Sequence, residues 1–440
     1  MKSDPGKRLL GGYWALALAT LAFAPLEAAP ANRFNHDETK VGSYTLPDAL
    51  LGEDGARVTD VATWRSKRRA EILRSFAANM YGVTPDLSPQ VRAEVTATRV
   101  DAVDGLATRT LVTLRFFDDS AAPLIQLMLY VPNGVKGPVP VFLGLNYFGN
   151  ASVEADPSLP LAERFVMTNA DAGVVRNRVT EATRGFHASR WPLALLLRRG
   201  YAVATFFYGD VEEDHFDGWK NGLRGYVMRR EGRTVARPDE WGALGAWGWG
   251  LSRALDYLET QPAVDARRVA VVGHSRHGKA ALWAGAQDER FAIVISNQSG
   301  EGGASLARRD FGETIAYSIE HAAYRYCERF RSWVGRAAEL PFDQHMLLGL
   351  IAPRPLYVAS ATLDDLSDPR GEFLSAVHAA PVYRLFGQEG VGTADFPAPD
   401  HPIGHRIGYH LRTGKHDITT YDWEQYLAFA DRHFRKSAAR

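Results

Sequence analysis

The chain has 440 residues, 46% of them apolar and 11% aromatic, enough to bury a large core in one big domain or two ordinary ones. Its 51 basic residues balance 51 acidic ones and no long single-sign run occurs, so bulk electrostatics gives no reason to expect a nucleic-acid or acidic-polymer partner. Cys327 is the lone cysteine, which excludes an intramolecular disulfide and leaves stability to packing.

The first residues read as a targeting segment. Lys2, Lys7 and Arg8 form a positive leader, and Leu9–Pro25 is apolar but shorter than the roughly 20 residues a membrane span needs. Small residues follow at Ala28, Ala29 and Ala31. The pattern predicts a signal peptide over residues 1–31, cleaved between about Ala28 and Asn32, with a retained membrane anchor as the rival reading. Residues 32–440 then form one mature domain, secreted or periplasmic, with no membrane contact after cleavage.

Asn32–Pro47 is expected to be an exposed arm. Asp60–Tyr81 places Ile72, Leu73, Phe76 and Met80 on one side with basic residues between, the pattern of an amphipathic helix. Val91–Thr98, Ala107–Phe117 and Leu124–Val131 alternate like antiparallel strands. Val139–Leu145 and Tyr201–Phe207 are continuous apolar runs, as buried parallel strands should be. Helical patterns at Trp191–Arg199 and Trp241–Thr260 alternate with them. Further strands are expected at Val269–Val272, Phe291–Ser296, Pro355–Ser360 and Val382–Phe386, with helices at Glu372–His378 and Tyr421–Arg435. The alternation predicts an α/β fold: a mostly parallel sheet with an antiparallel N-terminal edge and helices on both faces. Two long connections, Asn146–Ser189 and Ser299–Leu340, follow parallel strands and are expected to wall a cleft with Arg308, Arg309, Glu313, Tyr324 and Tyr326.

The chemistry centres on RRVAVVGHSRHGKAALW at Arg267–Trp283. A short apolar strand, a tight turn around Ser275 and a helix make the nucleophile elbow of an α/β-hydrolase. His277 stands where the common G-x-S-x-G motif has its second glycine, which comes one later as Gly278. A serine nucleophile needs a histidine to take its proton and an acid to orient that histidine. Of thirteen histidines, His416 in TGKHDITTYDW sits immediately before the last helix, where the catalytic loop belongs. His401, His405 and His410 read as surface or loop-packing residues, and His274 and His277 should point away from the serine hydroxyl. For the acid, Asp364, Asp365 and Asp368 compete in ATLDDLSDPRGEF; Asp364 is nearest the strand end, Asp368 suits a helix cap, and Glu301 is a further option. The oxyanion donors should be the backbone N–H of Arg276 and an amide near Asn146–Phe148. The Arg276 guanidinium either reaches the oxyanion too or pairs with a carboxylate. Lys279, in a first helical turn where a cation opposes the dipole, calls for a role.

These residues resemble carbohydrate esterase family 15, the glucuronoyl esterases. GHSRHGK at Gly273–Lys279 fits that family's G-x-S-R-x-G-K signature, and the likeness extends through YGDVEEDH, SGEGGASLARRDFGE, LPFDQHMLLGLIAPRPLYVASA and GKHDITTYDW. The resemblance implies Ser275 as nucleophile, His416 as base, Arg276 as oxyanion stabiliser, and Lys279 and Glu313 as contacts to uronic-acid hydroxyls. It also implies a monomer acting without metal or cofactor on esters of (4-O-methyl-)glucuronic acid in glucuronoxylan or lignin-carbohydrate fragments. Two departures stand out. Gln298 occupies the place where many members carry the triad glutamate, leaving Asp364 as the fitting acid, and Leu366 stands where a sugar-stacking Trp is frequent. Two alternatives follow: an esterase for acetyl or aryl esters, or a catalytically impaired polysaccharide-binding homologue.

Overall fold

The structure is a computed structural model that describes residues 34–87 and 89–437, with side chains through Phe434. The expected signal peptide lies outside the described residues. From Phe34 onward the chain forms one compact unit. Among the described residues no helix is long and apolar enough to cross a membrane.

Three strands open the fold, β1 (Arg92–Ala102), β2 (Ala107–Arg115) and β3 (Leu124–Pro132), paired antiparallel as their alternation predicts. They are followed by β4 (Val139–Asn146), a small ribbon of β5 (Val174–Val175) and β6 (Arg178–Val179), and β7 (Ala202–Phe207). Then come β8 (Val264–His274), β9 (Ile293–Asn297), β10 (Leu356–Ala361), β11 (Ile403–Gly404) and β12 (Ile407–Arg412). Ten of these make one sheet in the order β1-β2-β3-β7-β4-β8-β9-β10-β12-β11. The steps from β7 through β12 are parallel, and β11 returns antiparallel at the far edge.

The parallel strands are buried on both faces, which explains their unbroken apolar runs. In β8, Val269 and Val271 face one apolar cluster while Ala270 and Val272 face the other. The first cluster takes in the helices Ala243–Leu258, Arg276–Gln287, Gln344–Gly349 and Pro369–Leu385. The second takes in Leu193–Arg198 and Thr420–Ser437. Asp60 caps the N-terminal helical stretch through the Thr63 amide at 2.9 Å, and π turns at Trp64–Arg68 and Ala77–Tyr81 interrupt it. Ile72, Phe76 and Met80 are buried as expected.

Three expectations are overturned. Val382–Phe386 is no strand: Val382 and Tyr383 belong to the helix Pro369–Leu385, which buries both and ends before Gly387 at φ 65°. A five-residue apolar run does not by itself distinguish a buried strand from a buried helical turn. The last parallel strand is β12, whose IGYHLR sequence hides its character behind a glycine, a histidine and an arginine. His410 is therefore a core residue on a strand, not a surface or loop residue. Its Nε2 lies 2.9 Å from Asp422 Oδ1, and its Nδ1 lies 3.1 Å from the Tyr357 hydroxyl. Arg308 and Arg309 likewise are not cleft lining; they are buried against Asp343 and Asp368 at 3.2 and 2.8 Å, fastening the loop after β9.

Asp422 collects His410, the Asn297 amide at 3.2 Å, the Thr419 N–H at 2.7 Å and the Arg412 guanidinium at 3.0 Å. Removing the shared carboxylate strands several buried donors. Asp422→Ala is expected to cost about 3–5 kcal/mol of stability, read from the denaturant midpoint; a loss below about 1 kcal/mol would contradict this assignment.

Candidate active site

β8 runs straight into the helix Arg276–Gln287, and the turn between them is sharp enough to hold Ser275 at φ 56°, ψ −130°. Few non-glycine residues occupy that region, so the surrounding contacts must impose it. A Cβ on Gly273 would stand 2.0 Å from the His277 carbonyl oxygen, and one on Gly278 would stand 3.0 Å from Ser299 Cβ. The Ser275 N–H is tied to the Asn297 carbonyl of β9 at 2.8 Å. Arg276 opens the helix, where a first-turn N–H has no intrahelical acceptor and is free to face an anion.

His416 lies between β12 and the final helix, and its Nδ1 is 2.6 Å from Asp364 Oδ2. Asp364 follows β10 and is nearly buried, whereas the His416 ring is 40% exposed. The neighbouring Asp365 faces outward, its side chain 58% exposed and 3.8 Å from His36. Asp368 accepts the Gly371 N–H at 2.8 Å and pairs with Arg309, the helix-capping part its position suggested. Glu301 sits under Lys279, away from the imidazole; burial above all, with Asp343 second, pushes its carboxyl up to about 8. The His274 ring packs beside that of His416 at 4.4 Å and lies 2.6 Å from Asn297 Oδ1. Burial first, then His416 and Arg190, hold His274 well below the usual histidine range, so it is a neutral wall for the imidazole. His277 turns the other way and stacks on Tyr147 at 4.0 Å.

The Arg276 guanidinium lies over the Tyr147 ring at 5.3 Å and pairs with Asp214. Asp214 also accepts from Arg325 at 2.8 and 2.9 Å, from the Tyr324 hydroxyl at 2.7 Å and from the Tyr208 hydroxyl at 3.2 Å. Burial opposes its ionisation, but Arg325 and Arg276 outweigh that and hold it well below the ordinary carboxylate range. Two cations thus share one anion, leaving net positive charge beside Ser275. The Tyr147 hydroxyl donates to the His274 carbonyl at 2.6 Å and fixes the loop after β4, where the second oxyanion amide was expected.

Lys279 points from the same helix into the loop after β9. Its ammonium donates to the Glu301 carbonyl and lies 3.4 Å from Glu313 Oε2. Burial pulls the ammonium down, yet Tyr326 and Glu313 more than offset this and raise it above its usual value, so Lys279 keeps its charge in the pocket. Among the described residues no group of three or more His, Cys, Asp or Glu side chains is placed to hold a metal.

Asp214, Arg325 and Tyr147 escaped the sequence reading. YGDVEEDH offers Asp210, Glu212, Glu213 and Asp214 within five residues, and nothing in the spacing selects the one that faces Arg276. Glu372 is another. It accepts the Ser299 and Gly300 N–H groups at 2.7 and 3.1 Å and lies 2.6 Å from the Ser360 hydroxyl, beneath the Asp364 loop.

A profile described as glucuronyl esterase, fungi, matches residues 233–387. The carbohydrate esterase MZ0003, from an unknown prokaryotic organism, is 44% identical over 405 residues, 92% of this chain and 93% of its own length. The 4-O-methyl-glucuronoyl methylesterase of Phanerochaete carnosa is 37% identical over 374 residues, 82% of this chain and 75% of its own length. Among solved structures, a glucuronoyl esterase from Solibacter usitatus has a TM-score of 0.85 at 46% identity, covering 90% of this chain and 100% of that one. The fold, with its serine elbow and parallel sheet, is that of an α/β-hydrolase, and the relatives make the protein a carboxylic ester hydrolase. The chain belongs to carbohydrate esterase family 15, the glucuronoyl esterases.

Burial leads the causes that push the Glu372 carboxyl up to about 8, with Asp364 adding to it. Over the window between the ordinary glutamate value and about 8, the folded state keeps a proton the unfolded chain releases, so stability falls as pH rises. Glu372→Gln keeps an acceptor for the two amides and a donor for Ser360. The fall in denaturant midpoint between about pH 5 and about pH 8 is expected to shrink in this variant. An unchanged pH slope would show that Glu372 ionises normally.

Proposed function

We propose that this protein cleaves esters of (4-O-methyl-)glucuronic acid, as in ester links of glucuronoxylan to lignin alcohols, with Ser275 as nucleophile. The observation that carries the mechanism is the 2.6 Å bond between His416 Nδ1 and Asp364, taken together with a serine held on a strained elbow. Asp364 keeps the imidazole in the tautomer whose Nε2 accepts a proton and stabilises the imidazolium once it forms. Ser275 attacks the ester carbonyl as His416 takes its proton, and the negative charge that develops is met by the Arg276 N–H and an amide near Asn146–Phe148. The Arg276 guanidinium, restrained by Asp214, adds positive potential there without having to reorganise. His416 then protonates the leaving alkoxide, and water activated by the same imidazole releases the uronic acid. The Lys279–Glu313 pair supplies a donor and an acceptor for the sugar hydroxyls, which suits a neutral, hydroxylated acyl group whose carboxyl is masked as an ester. The protein is exported by way of residues 1–31 and works as a monomer without a cofactor.

A second reading is favoured by one observation. Leu363 and Leu366, on the loop that bears Asp364, are 67% and 39% exposed, so an aliphatic rim stands where a stacking aromatic would hold a sugar ring. Such a rim fits a broader esterase acting on acetyl or aryl esters.

Hydrolysis of benzyl glucuronate, acetylated xylan and 4-nitrophenyl acetate separates the readings. Turnover of the glucuronate ester is expected to dominate; turnover of the acetates alone would discard the substrate and keep the triad. Ser275→Ala is expected to lower kcat by on the order of 10⁶. Asp364→Asn should cost roughly 10⁴, while Asp365→Asn should leave kcat near the wild-type value. Full activity in Ser275→Ala would overturn the mechanism.

A further inference from the structure

Gln298 ends β9 in a left-handed conformation, φ 47°, and is fully buried. Its backbone N–H donates to the Ala359 carbonyl of β10 at 2.7 Å, so the residue is fixed to the two strands at the centre of the site. Its side-chain amide bonds both backbone polar groups of one residue: Nε2 donates to the Asp417 carbonyl at 2.8 Å, and Oε1 accepts the Asp417 N–H at 3.0 Å. The loop has other ties. Arg412 donates to the carbonyls of Lys415 and Asp417 at 2.8 and 3.1 Å, and Arg190 pairs with the Asp417 carboxylate at 2.7 Å. Both arginines bind oxygens, whereas Gln298 takes the donor and the acceptor of the residue next to His416.

A two-point bond of this kind fixes orientation as well as distance. Asp364 follows β10, and Gln298 ties the His416 loop to β9 and β10, so both partners of the 2.6 Å bond are referenced to one rigid frame. A neutral amide suits the task because it donates and accepts in one plane. A carboxylate would set one oxygen against the Asp417 carbonyl.

We propose that Gln298 is a positioning residue whose amide, bonded to both polar groups of the Asp417 backbone, holds the His416 imidazole in register with Asp364. The inference rests on the roles assigned to His416 and Asp364 above. It predicts that the side chain acts on turnover and not on substrate affinity, since it touches the loop and not the sugar pocket.

The test uses two variants of the full-length protein, assayed on benzyl glucuronate with proton NMR of the downfield His416 Nδ1–H signal. Gln298→Met keeps the volume and removes both bonds. Gln298→Asn keeps the amide on a shorter arm and, because asparagine tolerates positive φ, protects folding. Both should lower kcat by roughly 10-fold to 100-fold, the scale of a small misplacement of a catalytic group. KM should stay within about twofold, and the downfield signal should broaden or vanish. A folded variant with wild-type kcat and an unchanged signal would overturn the inference. Asp364→Asn, measured alongside, reports on the triad separately: full activity there sinks the mechanism, while full activity confined to the Gln298 variants sinks the positioning role alone.

Discussion

A side chain at position 273 would put its Cβ 2.0 Å from the carbonyl oxygen of His277, so the turn between β8 and its helix closes on glycine or not at all. That close approach goes with the strained conformation of Ser275, the turn geometry of a nucleophile elbow. Everything else at the site is arranged around the point so defined. The Ser275 N–H reaches across to Asn297 on β9, Asn297 holds His274 on one side and Asp422 on the other, and Asp422 anchors His410 on β12. One buried polar chain therefore links the elbow to the strand that leads into the His416 loop. The strain is local, and its compensation is spread across three parallel strands.

Charge inside the molecule is handled by two different means. Where a cation and an anion are both needed they are paired and hydrogen-bonded, as in Asp214 with Arg276 and Arg325, or Asp368 with Arg309. Where desolvation outweighs the nearby charges the carboxyl is instead raised, and Glu301, despite Lys279 close by, and Glu372 are both pushed up to about 8 by burial. The consequence for chemistry is a polarised cleft. Positive groups, Arg276 and Arg325 foremost, stand on the side where the proposed oxyanion would form, and Asp364 stands behind His416. This separation lets a single imidazole work between them.

Much of this was legible in the sequence because the informative stretches are local. The elbow is a strand, a turn and a helix within one short segment, and the apolar runs Val139–Leu145 and Tyr201–Phe207 fall on β4 and β7. The loop positions of His416 and Asp364 followed from chain order, and the structure brings them to 2.6 Å. What failed to show is what depends on contacts distant in sequence. β12 carries a glycine, a histidine and an arginine whose burial is made possible by Asp422 and Tyr357, so its strand character was invisible and Val382–Phe386 took its place. Asp214 meets Arg325 from 111 residues away, and no local pattern marks either. Gln298 looked like a lost carboxylate, yet its side chain faces a backbone peptide and not an imidazole.

The most direct test of the account is covalent labelling with a serine-directed alkyl phosphonate, followed by intact mass and peptide mapping in the wild type and in His416→Ala. The account predicts one adduct, on the peptide containing Ser275, forming orders of magnitude more slowly when His416 is absent. Labelling at another residue, or an equal rate without His416, would mean that Ser275 is not the activated nucleophile and that the triad assigned to it is wrong.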